Sequence, residues 1–363
     1  MSTAPGAVSA GLPDFPWDVL DPAKERAAAH PDGLVDLSMG APVDPVPDVV
    51  RAALVAAGNS PGYPLTAGTG ELRTALAGWV VRHCGATGPF GVLPTIGSKE
   101  LVAWLPTLLG LGPGDEVVIP PVCYPTYEVG ARLAGCTVIR ADSWDRLGPR
   151  VRLVWINSPG NPDGRVLPPH ELRAVVDAAR AQGAVVASDE CYLRLGWEAT
   201  PASVLSVCDG VFDGVLAVHS LSKQSNLAGY RAGFVAGSPS LVDELLAVRK
   251  HVGMIVPAPV QAAMIAAVSD ESHVEEQRQR YAARRSMLRD AVVKAGFEIA
   301  GSEGGLYLWA TRGQECWATV EWFAKLGVLV SPGAFYGPAG DRHVRLALTA
   351  PDERISAAVA RLG

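Results

Sequence analysis

One lysine of this 363-residue chain follows an apolar run that is typical of a buried strand. It is Lys223, in SLSKQSNLAGYRAG, directly after GVLAVHS. Burying a lysine costs free energy unless the amine is neutralised or paired. Its recurrent chemical use is a Schiff base with the aldehyde of pyridoxal phosphate, whose phosphate is held by hydroxyls such as Ser220 and Ser222 and by a cation such as Arg231. The alternative is an ordinary solvated lysine in a polar loop.

A carboxylate and an asparagine-rich turn offer what the ring of such a cofactor needs. In AVVASDECY, Asp189 ends a second apolar run, and open α/β sheets place ligand groups at the carboxyl ends of strands. Beside the ring nitrogen, Asp189 would keep that nitrogen protonated; otherwise it is a helix N-cap. Asn161, in NSPGNPDG, and Tyr192 can both donate to the ring hydroxyl oxygen, although an ordinary turn has the same composition.

Eight segments occur in the order that one known family has them: GYPLTAGTGELR, TIGSKE, GDEVVIPPVCYPTY, NSPGNPDG, SDECY, SLSKQSNLAGYRAG, GGLYLW and HVRLAL. Through these segments nearly the whole chain resembles the class I/II aminotransferases of the fold-type-I pyridoxal-phosphate superfamily. Within that family it most resembles the actinobacterial succinyldiaminopimelate aminotransferases, through strings such as DLSMGAPVDPVPD, YPTYEVGARLAG and HSLSKQSNLAGYRAGFVAG.

The resemblance implies a role for each matching residue around the cofactor. Lys223 is implied to be the cofactor-bound lysine and the general base, Asp189 the partner of the ring nitrogen, and Tyr124 an aromatic residue stacked on the ring. Asn161 and Tyr192 are implied to bind the ring hydroxyl, and Asn161 the substrate as well. The phosphate is implied to be bound by Gly97, Ser98 and Lys99 at a helix start, by Ser220, Ser222 and Arg231, and by Tyr63 of the neighbouring subunit.

The substrate α-carboxylate is implied to be bound by Arg345, with Gly40 leaving room for it near its backbone. In HVRLAL, Arg345 alternates with apolar residues, a pattern that an exposed strand arginine would also give. The far end of a long substrate needs a second polar pocket. Arg249, Lys250 and His251 are candidates to line it, and a solvated helix end explains them equally well.

Two positions depart from the family pattern. The usual turn is NPTG, and this chain has Asp163 in place of the threonine. Aspartate also suits such a turn, because its carboxylate caps backbone amides, but it adds a negative charge near the site. Gln224 follows the lysine where a basic residue is frequent among similar sequences. Neither change removes a catalytic group, and both leave room for a shifted substrate.

Composition excludes several functional classes. The net charge is −6 with no basic block, which argues against nucleic-acid binding. The sequence contains no stretch of about 20 apolar residues, so we expect no membrane span. The N-terminus lacks the charged and apolar regions of a signal peptide. The six scattered cysteines form no CxxC pair and have no metal-ligand spacing with the histidines. We therefore expect reduced thiols, no metal and a cytoplasmic location.

The order of elements predicts how these residues are positioned. The strand-like runs EVVIP, TVIRA, RLVWI, AVVAS and GVLAVHS alternate with helical runs, which predicts an α/β fold with a mainly parallel sheet flanked by helices. From about Ala258, long helices precede LYLWA, VLVSP and HVRLALT, which predicts a smaller α+β domain. With the resemblance, we expect a flexible arm over 1–12, a large domain over 44–255 and a discontinuous small domain over 13–43 and 256–363.

The resemblance implies transamination between L-glutamate and 2-oxoglutarate on one side and N-succinyl-LL-2,6-diaminopimelate and its keto acid on the other, by a homodimer. Lys223 would move the α-proton and Arg345 would hold each α-carboxylate. Three alternatives remain open at this stage. One is a related aminotransferase for another amino acid or N-acyl-diaminopimelate, and another is a pyridoxal-phosphate C–S β-lyase. The third is the effector domain of a regulator, against which the lack of a preceding helix-turn-helix argues.

Overall fold

A seven-stranded sheet forms the centre of the molecule. The computed structural model describes residues 11–13, 16–144 and 147–363, so the predicted N-terminal arm lies outside the described residues except for 11 and 12. The strands of the chain are β1 (Val35–Asp36), β2 (Gly91–Ile96), β3 (Glu116–Ile119), β4 (Thr137–Arg140), β5 (Val151–Asn157), β6 (Val185–Asp189), β7 (Val215–Ser220), β8 (Ala232–Gly237), β9 (Glu298–Ile299), β10 (Tyr307–Thr311), β11 (Val328–Leu329), β12 (Ser331–Pro332) and β13 (Val344–Ala347).

Helices cover this sheet and extend beyond it. They are α1 (Asp21–Ala28), α2 (Asp48–Ala56), α3 (Gly70–Cys84), α4 (Gly97–Leu108), α5 (Thr126–Leu133), α6 (Pro169–Gln182), α7 (Leu221–Gln224), α8 (Pro239–Val252), α9 (Ala258–Ser269), α10 (Ser272–Lys294), α11 (Cys316–Lys325) and α12 (Asp352–Leu362). Short 3-10 helices span Pro16–Leu20, Val204–Val207, Ala228–Tyr230, Gly333–Tyr336 and Pro338–Gly340. No helix in the described part of the chain combines the length and apolar character that a membrane crossing requires.

The large sheet has the strand order β2-β8-β7-β6-β5-β3-β4, in which β8 runs opposite to the other six strands. All five strands predicted from β-branched runs are confirmed, as is the mainly parallel α/β architecture. Because β5, β6 and β7 are adjacent and parallel, their carboxyl ends lie at one edge of the sheet. That edge brings together Asn157, Asp189 and Ser220, the last residues of the three strands.

Buried apolar side chains form clusters on both faces of the large sheet and a third cluster elsewhere. The third cluster surrounds the antiparallel sheet β12-β13-β10-β9 and the parallel pair β1-β11, and it includes Val35 and Leu37 of the N-terminal segment. A discontinuous small domain, built from both ends of the chain, is consistent with this cluster.

Helix α9 packs with the large sheet rather than with the small domain. Its residues Ala263, Met264, Ala267 and Val268 belong to the core cluster that α2 and α3 share. A helix that is apolar on most sides is buried on most sides, so its composition gave no indication of which domain it joins. We therefore propose a domain boundary near Asp270, where the sequence prediction had placed it near Val256.

Candidate active site

Lys223 lies just beyond the end of β7, on the one-turn helix α7. The Ser220 hydroxyl begins this turn by accepting a hydrogen bond from the Ser222 amide over 3.1 Å. Lys223 Nζ crosses to the N-terminal segment and donates to the carbonyl oxygen of Gly40. Burial lowers the pKa of Lys223, because a charged amine is poorly solvated there. Burial thus favours the neutral amine of Lys223, the form that can accept a proton.

Asp189 ends the neighbouring strand β6 and is 6% exposed. Its Oδ2 accepts a hydrogen bond from the Tyr127 hydroxyl over 2.8 Å, and its Oδ1 accepts one from the Cys191 amide over 3.2 Å. Burial raises the pKa of the Asp189 carboxyl, while the hydrogen bonds from Cys191 and Tyr127 oppose that rise. The carboxylate is therefore oriented by two donors, and one of them, Tyr127, is stacked on Trp155.

The turn after β5 is organised by Asn157. Its Nδ2 donates to the Asp189 carbonyl oxygen over 2.8 Å, and its Oδ1 accepts from the Asn161 amide over 2.8 Å. Asp163, the departure from the family turn, accepts from the Arg165 amide over 3.2 Å, which confirms the predicted capping of a backbone amide. Its carboxylate fills the space beside Gly160, where a Cβ would lie 2.2 Å from Oδ1. The Asp163 carboxylate therefore makes contacts within the turn.

Arg345 is buried in β13, with only 3% of its surface exposed. Its Nη1 donates to Asn161 Oδ1 over 2.8 Å, and its Nη2 donates to the Ser38 carbonyl oxygen over 2.7 Å. The guanidinium carbon lies 3.9 Å from the ring centre of Tyr307 and 4.8 Å from that of Tyr336. Its buried Nε has no hydrogen-bond partner among the described residues. The alternative that Arg345 is an exposed strand residue is therefore wrong.

These groups line one cavity of about 280 Å³ between the large sheet and the small domain. Its lining includes twelve of the fourteen residues to which the resemblance gives a role. They are Gly40, Ser98, Lys99, Tyr124, Asn161, Asp189, Tyr192, Ser220, Ser222, Lys223, Arg231 and Arg345. Gly97 lies directly behind Arg231, since a Cβ on Gly97 would be 2.4 Å from Arg231 Nη2. Tyr63 is fully exposed and lies outside the cavity lining.

Comparison with known proteins identifies the family. The profile described as aminotransferase class I and II matches residues 32–362. The chain belongs to the class I and II aminotransferases. It is 60% identical to a probable aminotransferase of Mycobacterium tuberculosis, over 99% of this chain and 87% of that protein. It is 59% identical to the 4-dedimethylamino-4-oxo-anhydrotetracycline transaminase OxyQ of Streptomyces rimosus, over 97% of this chain and 99% of that one.

Solved aminotransferases share the fold over nearly the whole length. A probable N-succinyldiaminopimelate aminotransferase from Thermus thermophilus matches with a TM-score of 0.87 and 28% identity, over 96% of this chain and 99% of that one. An aspartate aminotransferase variant from Thermus thermophilus matches with a TM-score of 0.89 and 26% identity, over 99% of both chains. The aminotransferase therefore has fold type I, and its cofactor is pyridoxal phosphate.

The cavity of this aminotransferase fits that cofactor. Asp189 is buried and Lys223 is half-buried, and no ion pair joins either of them to another described residue. A protonated ring nitrogen would supply the cation that Asp189 lacks. At the other end of the cavity, the start of α4 and the Ser98, Ser220 and Ser222 hydroxyls offer donors for a phosphate, with Arg231 beside them.

Further residues line the cavity that sequence reasoning did not single out: Trp17, Met39, Ala41, Asn157, Cys191, Ala228, Tyr307 and Tyr336. Asn157 and Tyr307 lie within the quoted segments NSPGNPDG and GGLYLW, so a signal for them existed. Position 40 requires glycine, because a Cβ there would lie 2.2 Å from the Tyr307 hydroxyl. The Tyr192 and Tyr307 hydroxyls are 3.1 Å apart and share a hydrogen bond.

The prediction that Arg249 lines a distal substrate pocket is wrong. Arg249 is fully buried on α8, where Nη1 and Nη2 bind the two carboxylate oxygens of Glu100 over 2.8 and 3.0 Å. Lys250 and His251 are exposed at the end of the same helix. None of the three lines the cavity. Arg249 joins α8 to α4, and a charged run at a helix end gives no sign of such a partner.

Proposed function

We propose that this aminotransferase transfers the amino group between L-glutamate and the keto acid of N-succinyl-LL-2,6-diaminopimelate, in cytosolic diaminopimelate and lysine biosynthesis. The proposal rests on the buried guanidinium of Arg345, which lines the same cavity as Lys223. Its Nε has no hydrogen-bond partner among the described residues. Both substrates carry a carboxylate next to the reacting carbon, which a planar donor fork can bind in the same way. The likeness to a probable N-succinyldiaminopimelate aminotransferase of known structure supports the choice of acceptor.

Each residue of the site has a task in this reaction. Bound pyridoxal phosphate supplies an aldehyde that accepts the amino group and a ring that withdraws electrons from the α-carbon. Lys223, whose pKa burial lowers, can take the α-proton as a free amine and return it. Arg345 holds the α-carboxylate so that the α-proton faces Lys223. Asp189, held by Tyr127, keeps a proton on the ring nitrogen.

Arg345 also fixes the orientation of the Asn161 amide. A guanidinium only donates hydrogen bonds, so the Asn161 atom that faces Nη1 over 2.8 Å is its carbonyl oxygen. The Nδ2 group is then turned away from Arg345 and can donate to the ring hydroxyl. Tyr192, joined to Tyr307, is the second donor proposed for that oxygen. The substrate clamp and the cofactor contact are thus linked through one side chain.

A second candidate acceptor is a polycyclic ring ketone. It is favoured by the 59% identity, over nearly both whole chains, to the transaminase named for 4-dedimethylamino-4-oxo-anhydrotetracycline. The cavity lining includes Trp17, Tyr124 and Tyr336, and Met39 there is 48% exposed, so an apolar polycycle would find flat surfaces to contact. Glutamate would remain the amino donor, and Arg345 would serve that half of the cycle only.

The test is a spectrum of each half-reaction. Purified protein loaded with pyridoxal phosphate is mixed with glutamate, or with N-succinyl-LL-diaminopimelate, in the absence of any acceptor. We expect the visible band of the lysine-bound cofactor to disappear with both compounds. Lys223→Ala protein, which cannot form that band, is the control. Conversion by glutamate alone would discard the succinylated substrate, and the aminated product of the ring ketone would then be tested in the same way.

A lyase would be recognised by its products. Pyruvate and ammonia released from cystathionine without 2-oxoglutarate would contradict the transamination proposed here, because a C–S β-lyase needs no keto acid acceptor. The absence of both products, together with conversion by glutamate, would support it.

A further inference from the structure

A buried cluster of Cys84, Glu190 and His219 lies behind the active site. Cys84 is the last residue of α3, Glu190 follows Asp189, and His219 lies on β7 before Ser220. All three are 1–2% exposed. Cys84 Sγ is 3.6 Å from His219 Nε2, and that nitrogen is 3.8 Å from Glu190 Oε2. One ligand atom of each residue lies within 4.8 Å of the others.

One oxygen of the Glu190 carboxylate has no donor. Oε1 accepts hydrogen bonds from the Ser188 hydroxyl over 2.9 Å and from the Val204 amide over 2.7 Å. Oε2 faces His219 and has no hydrogen-bond partner among the described residues. Leaving a buried carboxylate oxygen unpaired is costly, so something is expected to bind it. The two hydrogen bonds to Oε1 would fix the orientation of the carboxylate and so hold Oε2 in place. Carboxylates that bind metal ions are commonly oriented by hydrogen bonds in this way.

We propose that Cys84, Glu190 and His219 bind a divalent transition-metal ion of the zinc class. A tetrahedral ion with usual bond lengths places sulfur and nitrogen ligands about 3.5 Å apart and nitrogen and oxygen ligands about 3.3 Å apart. The observed separations are within about half an ångström of both values. These three side chains leave the fourth position of a tetrahedral shell for a water molecule. Thiolate, imidazole and carboxylate together favour zinc over magnesium or calcium.

Binding would convert the Cys84 thiol to a thiolate, with the proton released to the buffer and a sulfur lone pair bonded to the ion. The ion would join the end of α3 to β6 and β7, close to where these strands present Asp189 and lead to Lys223. It would have no contact with substrate. Its role is structural, and it is independent of which acceptor the enzyme uses.

The direct test is the metal content of the tag-free, cofactor-loaded protein, purified without chelator from zinc-supplemented cells. We expect about one zinc per chain in the wild type, as for a structural site. Cys84→Ala is expected to lose it. Cys136→Ala is the matched control, because Cys136 is also buried but its thiol donates to the Gly112 carbonyl oxygen, away from the cluster. Equal zinc in both variants would overturn the proposal.

Cobalt gives a readout that does not depend on a stable variant. Wild-type protein is stripped of metal under denaturing conditions and refolded with Co²⁺. A thiolate-to-cobalt charge-transfer band is expected, because the site contains one cysteine ligand. If the wild type contains no zinc as purified and shows no such band after refolding, the cluster is held by a thiol–imidazole hydrogen bond alone and the proposal is wrong. The same band in refolded His219→Gln protein would exclude His219 as a ligand.

Discussion

At the residue scale, the active site depends on side chains that each serve two partners. Arg345 orients Asn161 and lines the cavity, and Asn157 binds both Asp189 and Asn161. A charged group buried at 3% exposure is retained only where other groups compensate its desolvation. Two acceptors and two aromatic rings compensate Arg345 in part, and a substrate carboxylate would complete its shell.

We expect Arg345→Lys to lower kcat/KM for glutamate about 100-fold, because an ammonium keeps the charge but loses the two-pronged contact with the carboxylate. The band of the lysine-bound cofactor should remain, since Arg345 does not bind Lys223. Steady-state kinetics with glutamate measure the loss. Arg342→Lys, an exposed arginine on the same segment, is the control and should be unaffected. A variant with unchanged kcat/KM would remove Arg345 from the carboxylate site.

The types and order of the site residues could be predicted from the sequence, but their mutual support could not. Lys223, Asp189 and Arg345 are chemically conspicuous, and strand-end positions placed Lys223 and Asp189 on one edge of the large sheet. Tyr127 was not predicted as a partner of Asp189, because a hydrogen bond between residues 62 positions apart leaves no periodic trace. Arg249 was assigned to a substrate pocket for the same reason, since its partner Glu100 is also remote in the chain.

At the element scale, the strands of the large sheet that the sequence predicts are those rich in β-branched residues. Strands β2 and β8 were not predicted, because GVLPTI contains a proline and AGFVAG consists largely of small residues. Proline is tolerated in β2 because that strand lies at the sheet edge. The small residues of β8 admit close approach, since a Cβ on Gly233 would lie 2.9 Å from the Ser98 amide nitrogen at the start of α4. That close approach places the start of α4 against the strand that follows Arg231.

We expect Gly97→Ala to raise the dissociation constant for pyridoxal phosphate about 10-fold, since the new methyl would displace the Arg231 guanidinium, which we propose binds the phosphate. Gly97 has φ of +71°, and a Cβ would lie 2.4 Å from Arg231 Nη2. Gly110→Ala is a matched control, with φ of +73° and nothing within 4 Å of the added Cβ. Both variants carry similar backbone strain, so titration of the apoprotein with cofactor should separate them. Equal affinities would show that Arg231 adjusts without loss.

At the scale of the whole molecule, Arg284 joins segments that are far apart in the chain. On α10, its Nη1 and Nη2 bind the two oxygens of Asp44 over 2.7 and 2.6 Å, and its Nε binds Asp352 at the start of α12 over 2.6 Å. Burial raises the pKa of the Asp44 carboxyl, but hydrogen bonds from Arg284 and Gln277 outweigh that effect and hold the pKa below its usual value. The Arg284 side chain is 2% exposed. Its removal would leave the Asp44 carboxylate without its main partner.

Arg284→Met is therefore expected to lower the free energy of unfolding by about 3 kcal/mol at pH 7. A lowered folded-state pKa contributes stability above the unfolded value of about 3.9, and this contribution is lost as the pH falls further. The difference between wild type and variant should shrink towards pH 3.5. Urea unfolding at both pH values measures it, with the exposed Arg289→Met on the same helix as control. A difference that does not change with pH would exclude Asp44 as the partner that matters.

Fully exposed Tyr63 leads to the last expectation, which concerns two chains rather than one. Val55 and Leu65 are also exposed, by 77% and 62%, and apolar side chains left in water on one segment indicate a surface that another chain covers. We propose a homodimer in which Tyr63 binds the cofactor phosphate of the neighbouring subunit. In that arrangement Tyr63→Phe should raise the dissociation constant for pyridoxal phosphate about 10-fold, through loss of one charge-assisted hydrogen bond.

Subunit mixing distinguishes this arrangement from a contact within one chain. Tyr63→Phe protein is refolded with an equal amount of Lys223→Ala protein, so that about half of the dimers are hybrids. In a hybrid, the site with Lys223 receives an intact Tyr63 from the other subunit. Titration with pyridoxal phosphate should then reveal a fraction of sites that combine wild-type affinity with transaminase activity, a combination that neither parent has. If the mixture behaves as the sum of its parents although light scattering shows dimers, Tyr63 acts within its own chain or not at all.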